Sequence, residues 1–164
     1  MSEFSRLRST GPQAWGRSMI GSIIRSVLAV IAGLAAAMFF IVGTEAVWAV
    51  VYPPAPGVDL HDMEACKAHV AQLPADAYVI AAIGWGLAVF TGCWVATRLE
   101  AGRHPAHGYV VSSILSLAAV ANMLMLPYPV LFWGLNLVSF PVATYFGSRW
   151  GRGASLTGQG DLAE

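Results

Sequence analysis

The chain has 164 residues and is 57% hydrophobic but only 11% charged, against roughly 25% charged in a soluble domain, so lipid is its expected solvent. Nine basic and nine acidic residues leave no net charge, which removes whole-chain electrostatics as an argument for nucleic acid or for an acidic partner. Four runs nearly free of charge, Val27 to Val51, Ala77 to Thr97, Gly108 to Leu126 and Pro129 to Gly147, hold 19 to 25 residues each. A helix needs about 20 to cross the hydrocarbon core, and what is left over is too short for a separate soluble domain.

Residues 1–18 are rich in Ser, Arg and Gly and are expected to form a flexible N-terminus. Trp15, Met19, Ile20, Ile23 and Ile24 predict a helix that starts at the membrane interface, with Arg17 and Arg25 reaching back to the headgroups. The first span covers about residues 24–52. Its apolar run is too long for a cleavable signal peptide, whose apolar region has about 7 to 15 residues, and it is read as an uncleaved span. Ala29, Gly33 and Ala37 form a small-residue stripe that lets another helix approach closely. One carboxylate, Glu45, stands inside this run and borders the stripe on a helical wheel.

Pro53, Pro54 and Pro56 end the first span, because proline lacks the amide donor and restricts the residue before it. The outer loop, 53–75, is expected to hold a short amphipathic helix with Asp59 as its N-cap, Asp62 in its first turn and Met63, Val70 and Leu73 on one face. Span two, about 76–99, opens at Asp76 as a candidate cap and carries Gly84, Ala88, Gly92 and Ala96 at intervals of four. Gly102 is the expected C-cap and Pro105 the expected first residue of span three, about 106–126. Span three contains Ser112, Ser113, Ser116 and Asn122. Leu126-Pro127-Tyr128-Pro129 leaves so short a connection that span four, about 129–149, must run antiparallel to span three. In span four Asn136, Ser139, Ala143 and Gly147 share a face, and Pro141 predicts a kink. Residues 151–164 are expected to be disordered.

Eight arginines precede span one, lie between spans two and three, or follow span four, while Lys67 stands alone on the other side. The positive-inside rule then places both termini in the cytoplasm. The expected fold is an all-α membrane protein with four transmembrane helices in an antiparallel up-down bundle.

With that topology Glu45 and Asn136 each lie about 10 Å below the outer boundary, Asn122 about 7 to 8 Å and Trp85 near 12 Å, at roughly 1.5 Å of rise per residue. A carboxylate within a span is penalised by about 2.5 to 3.5 kcal/mol on the insertion scale, less when off-centre. Donors from Asn122, Asn136 and Trp85 would offset that penalty. Glu45, Trp85, Asn122 and Asn136 are therefore read as a polar clasp, with Gly33, Ala37, Gly84, Ala88, Gly92, Ala96 and Gly147 as helix-packing positions. The alternative makes Glu45 the titrating group of a small proton-coupled transporter or solute-binding protein.

His61, Asp62, Glu64, Cys66 and His69 fall within one short stretch, but on a short helix they point in several directions, and a zinc site needs three or four converging ligands. No metal site is expected. Cys66 and Cys93 sit too far apart along the membrane normal for a disulfide. The chain has no glycine-rich phosphate loop, no Gly-x-Ser-x-Gly turn and no His-Glu-x-x-His helix, so neither a catalytic residue nor a cofactor is expected. The expected partners are the bilayer and either a second copy or another membrane protein, with no nucleic acid.

Glu45 followed by Tyr52-Pro53-Pro54-Ala55-Pro56-Gly57-Val58-Asp59, Leu73-Pro74, and Asn122 followed by Leu126-Pro127-Tyr128-Pro129 resembles a family of small four-span membrane proteins of bacteria. The resemblance covers roughly residues 27 to 150. It implies a bacterial cytoplasmic, or inner, membrane and brings no activity with it. Small multidrug transporters also combine four spans with a first-span glutamate, but the outer position of Glu45, the one-sided charge and the added loop helix depart from them.

Overall fold

The computed structural model describes residues 12–100 and 102–153. Five helices follow one another: α1 (Pro12–Val51), α2 (Met63–Ala71), α3 (Ala75–Leu99), α4 (Ala106–Met125) and α5 (Val130–Arg152). Four of them, α1 (over Ile20–Val51), α3, α4 and α5, are long and apolar enough to cross a membrane.

Several helix ends differ from the sequence-based expectation, each for a local reason. Helix α1 already begins at Pro12, so 12–18, expected to be loose, are helical; proline is pre-organised for a first turn, where its missing N–H goes unused. The rest of the expected flexible N-terminus, 1–11, and the expected tail, 154–164, lie outside the described residues. Asp62, not Asp59, caps α2: its Oδ1 accepts from the Glu64 N–H at 3.0 Å. Asp59 instead closes the preceding turn, accepting from the His61 N–H at 2.9 Å. Asp76 does not cap α3, whose cap position is Pro74; its carboxylate accepts from the Tyr52 hydroxyl at 2.9 Å. Glu100, not Gly102, occupies the C-cap of α3, and Pro105 is the N-cap of α4 instead of its first residue. Helix α5 continues through Pro141 to Arg152 and stops at Gly153, whose φ of 76° suits glycine.

Helix α3 packs against α1, α4 and α5, whereas α1 and α5 do not meet. Small residues let the α1–α3 seam close. A Cβ on Gly33 would lie 2.6 Å from the Gly92 carbonyl oxygen and 2.8 Å from Ala96 Cβ, and the Thr44 side chain sits directly over Gly84. Ala29, Ala37, Ala88 and Ala96 are buried in the same seam. Two hydrogen bonds pin its ends: Arg25 Nε donates to the Leu99 carbonyl at 3.3 Å, and Trp48 Nε1 donates to the Ala77 carbonyl at 3.0 Å. Along this seam residue numbers rise on α1 as they fall on α3.

On the other side of α3, Gly147 meets the Phe90 carbonyl and Cys93, while Gly151 meets Thr97. Here the numbers rise together on α3 and α5. Helix α4 is held by Cys93 Sγ, which donates to the Gly108 carbonyl at 3.2 Å, and by Ser112 Oγ, 2.5 Å from Thr144 Oγ1. Thr144 in turn donates to the Phe140 carbonyl at 2.7 Å, one residue before the proline that interrupts the backbone ladder.

Candidate functional site

Glu45 lies on α1 one turn before Trp48, on the flank of the seam. Of its neighbours along the seam, Thr44 packs over Gly84 and Trp48 donates to the Ala77 carbonyl; these two contacts with α3 set the rotation of α1 and leave Glu45 at the edge of the seam, on the α1–α4 cleft. The carboxylate is consequently exposed in the isolated chain, and Asn122 on α4 is exposed as well. Among the described residues Glu45 takes part in no ion pair and no hydrogen bond.

Glu45, Trp85 and Asn122 line one cleft of about 170 Å³ between α1 and α4. Met38 and Ile41 form the rest of its α1 wall, Leu115, Ala118 and Ala119 its α4 wall, and Trp85, Ala88 and Val89 of α3 its floor. The two walls converge toward Gly33 and Val111, where a Cβ on Gly33 would be 3.2 Å from Val111 Cγ2. The cleft is thus a wedge between two helices that touch at one end. Small side chains on α4 keep it open.

Asn136 is not part of this cleft. It is buried on α5, where its Nδ2 donates to the Phe132 carbonyl of its own helix at 2.8 Å, and its Oδ1 has no partner. Of the four residues predicted to share a polar layer, three line a common cavity, and no hydrogen bond joins any two of the four. The clasp as a bonded network is therefore not formed in the isolated chain. A common depth on different helices does not bring side chains to a common azimuth, and the Asn136 Nδ2 donates within its own helix instead.

An aromatic cluster braces the same end of the bundle and was not foreseen. Phe132, fully buried, stacks on Tyr128 with centroids 4.4 Å apart and meets Trp85 edge-on at 5.3 Å. Tyr78 approaches both Tyr128 and Phe132 at 6.1 Å and donates its hydroxyl to the Val70 carbonyl at 2.6 Å, tying α2 to α3. Such pairs add about 0.5 to 1.5 kcal/mol beyond the area they bury. The Leu-Pro-Tyr-Pro spacing was a visible signal for a tight turn, but not for Tyr128 folding back over Phe132. Burial first, then the nearby Cys66 and Glu45, push the Tyr128 hydroxyl up to about 12.

In the 61–69 stretch the side chains are engaged separately. His61 pairs with Asp59 at 3.0 Å, Lys67 pairs with Glu64 at 2.9 Å, and Asp62 caps α2. No group of three or more His, Cys, Asp or Glu among the described residues converges as metal ligands would. Cys66 and Cys93 are free thiols.

No family model matches the sequence, and no curated protein and no solved structure matches it significantly.

Proposed function

We propose that the chain is a four-span protein of the bacterial cytoplasmic membrane with both termini inside, without catalytic activity, that pairs with a second copy of itself through the Glu45 cleft. The opposed residue order across the α1–α3 contacts, and across α4–α5, where Gly108 meets Ser148 and Ser112 meets Thr144, supports an antiparallel up-down bundle. The one-sided arginines support its orientation, which puts α2 on the outer surface, with Val70 buried and Met63 exposed.

The observation that carries the pairing is that Glu45, unpartnered, shares an open cleft with Asn122. Lipid offers a carboxyl no hydrogen bond, so an occupant with a donor at that depth is favoured. A two-fold axis along the membrane normal preserves depth. It brings the Glu45 acceptor of one copy opposite the Asn122 donor of the other and does so twice, as a self-complementary interface requires. Each interhelical bond of this kind is worth about 0.6 kcal/mol on average and rarely above about 1.7 kcal/mol, so the small α4 surface at Ala118 and Ala119 contributes close packing alongside it.

Fluorescence energy transfer between labelled copies in bilayers, diluted stepwise with lipid, tests the pairing. Transfer is expected to saturate in the native chain and to need a several-fold higher protein-to-lipid ratio in Glu45→Ala and in Asn122→Ala. A native chain that stays monomeric over the whole range overturns the proposal.

A second reading rests on the cleft volume and its indole floor. A carboxylate and an indole lining one cleft also suit a small amine-bearing solute, with Glu45 as the proton-exchanging group. A pH-dependent solute flux in vesicles, abolished by Glu45→Gln while the fold is retained, would favour it over pairing.

A further inference from the structure

The end of the bundle opposite α2 carries Arg25, Arg98, Arg103, Arg149 and Arg152, and the only carboxylate there among the described residues is Glu100. Their arrangement is specific at one point. A Cβ built on Gly153, just beyond α5, would lie 3.2 Å from one guanidinium nitrogen of Arg103 and 3.6 Å from one of Arg98. The side chains of two different segments thus converge on the space that this glycine leaves empty.

Two observations show that no acid among the described residues neutralises this convergence. Neither the Arg98 nor the Arg103 guanidinium has an ion pair or hydrogen bond among the described residues. Glu100, the nearest acid in sequence, is turned to the backbone: its carboxylate accepts from the His104 N–H at 3.0 Å, and the backbone N–H groups of His104 and Gly102 hold it below the usual carboxylate range. Arg103 adopts a left-handed backbone, φ 49°, a conformation unfavourable for a residue with a Cβ, and it is from there that its side chain returns to Gly153.

Two like charges directed at one point favour an anion between them. The partial negative charge at the C-terminus of α5 compensates them in part, but those carbonyls accept no bond from either guanidinium. A guanidinium presents a fixed fork of donors that matches phosphate oxygens, and Arg149 and Arg152 belong to the last turn of α5, the helix that ends at Gly153.

We propose that Arg98 and Arg103, converging at Gly153, form a binding site for a phosphate group. Either the headgroup of an anionic phospholipid or a free phosphate anion supplies it. The site is independent of the Glu45 cleft and of any pairing there.

The test uses the full chain in an uncharged detergent, with native mass spectrometry reading bound lipid as phosphatidylglycerol or phosphatidylcholine is titrated. Phosphatidylglycerol is expected to bind in preference. The double variant Arg98→Gln/Arg103→Gln is expected to weaken it roughly 10- to 30-fold, with phosphatidylcholine binding unchanged. Lys67→Gln, at the opposite end, is expected to leave both unchanged. In a second arm inorganic phosphate competes with the lipid: displacement at low millimolar concentration assigns the site to the free anion, and no displacement assigns it to the lipid. The proposal is overturned if the double variant keeps native affinity for phosphatidylglycerol and for phosphate, or if Lys67→Gln weakens the lipid as much as the double variant does. Thermal unfolding of each variant in detergent confirms that the bundle is intact, which is expected because both arginine side chains are exposed.

Discussion

Replacing Gly33 by alanine adds a single methyl group at the closest approach of α1 and α3. That methyl would stand 2.6 Å from the Gly92 carbonyl oxygen and 2.8 Å from Ala96 Cβ. Ordinary contact begins near 3.4 Å, so the helices must part by about 0.8 Å, and no rotamer change can relieve a clash with a backbone oxygen and a Cβ. Overpacking of this kind typically costs about 1 to 3 kcal/mol. Alanine also favours the helix over glycine by about 1 kcal/mol, which partly hides that cost. Gly43→Ala provides the reference, because it lies on the same helix with nothing within 4 Å of its added methyl. Unfolding of both variants in mixed micelles, titrated with a denaturing detergent, is expected to rank Gly43→Ala at or above the native chain. Gly33→Ala should fall below Gly43→Ala by roughly 1 to 3 kcal/mol. Equal stability of the two variants would refute the seam as the element that sets how closely α1 and α3 approach.

Other contacts give smaller and more local effects. Trp48→Phe removes the bond from Nε1 to the Ala77 carbonyl while keeping a ring in place, and is expected to destabilise the bundle by about 0.5 to 1.5 kcal/mol in the same titration. Asp62→Ala removes the α2 cap, worth about 0.5 to 2 kcal/mol, and should appear as faster hydrogen exchange across 63–67 with no change in α3. Tyr128 gives a pH dependence. Its folded-state value of about 12 exceeds the ordinary value of 10.0, so its contribution is complete below pH about 10 and is lost as pH rises through about 12. Tyr128→Phe should be less sensitive than the native chain in that alkaline window, and an identical alkaline loss in both chains would show that another group is responsible.

Hydropathy and length made the four long helices readable, because a span must be both apolar and about 20 residues long whatever its neighbours are. The four-residue spacing of Gly33 and Ala37, and of Gly84, Ala88, Gly92 and Ala96, likewise announced surfaces where backbones could approach. The start of α1 was less visible: Gly16 and the polar residues around it lower the apolar signal, yet they do not prevent a helix that Pro12 begins. Cap assignments at Asp59, Asp76 and Gly102 failed for a related reason. Each residue type suits several turn positions, and the turns actually formed depend on which groups the surrounding chain presents. Trp48, Tyr78 and Tyr128 each rely on a carbonyl or ring contributed by another segment, which local spacing does not encode.

Depth and azimuth separate what was readable about Glu45 from what was not. Depth follows from counting residues from a boundary, and of the four residues it groups, Glu45, Trp85 and Asn122 line one cavity while Asn136 does not. Azimuth depends on how each helix is rotated by its tightest contacts. For α1 these are Gly33 against Gly92, Thr44 over Gly84 and Trp48 on Ala77, all on the face that leaves Glu45 at the edge. For α5 they are Gly147 and Gly151 against α3, which carry Asn136 inward to bond its own backbone. The same small-residue seams that hold the bundle together thus keep Glu45 from an internal donor among the described residues, and leave its carboxylate facing the cleft between α1 and α4.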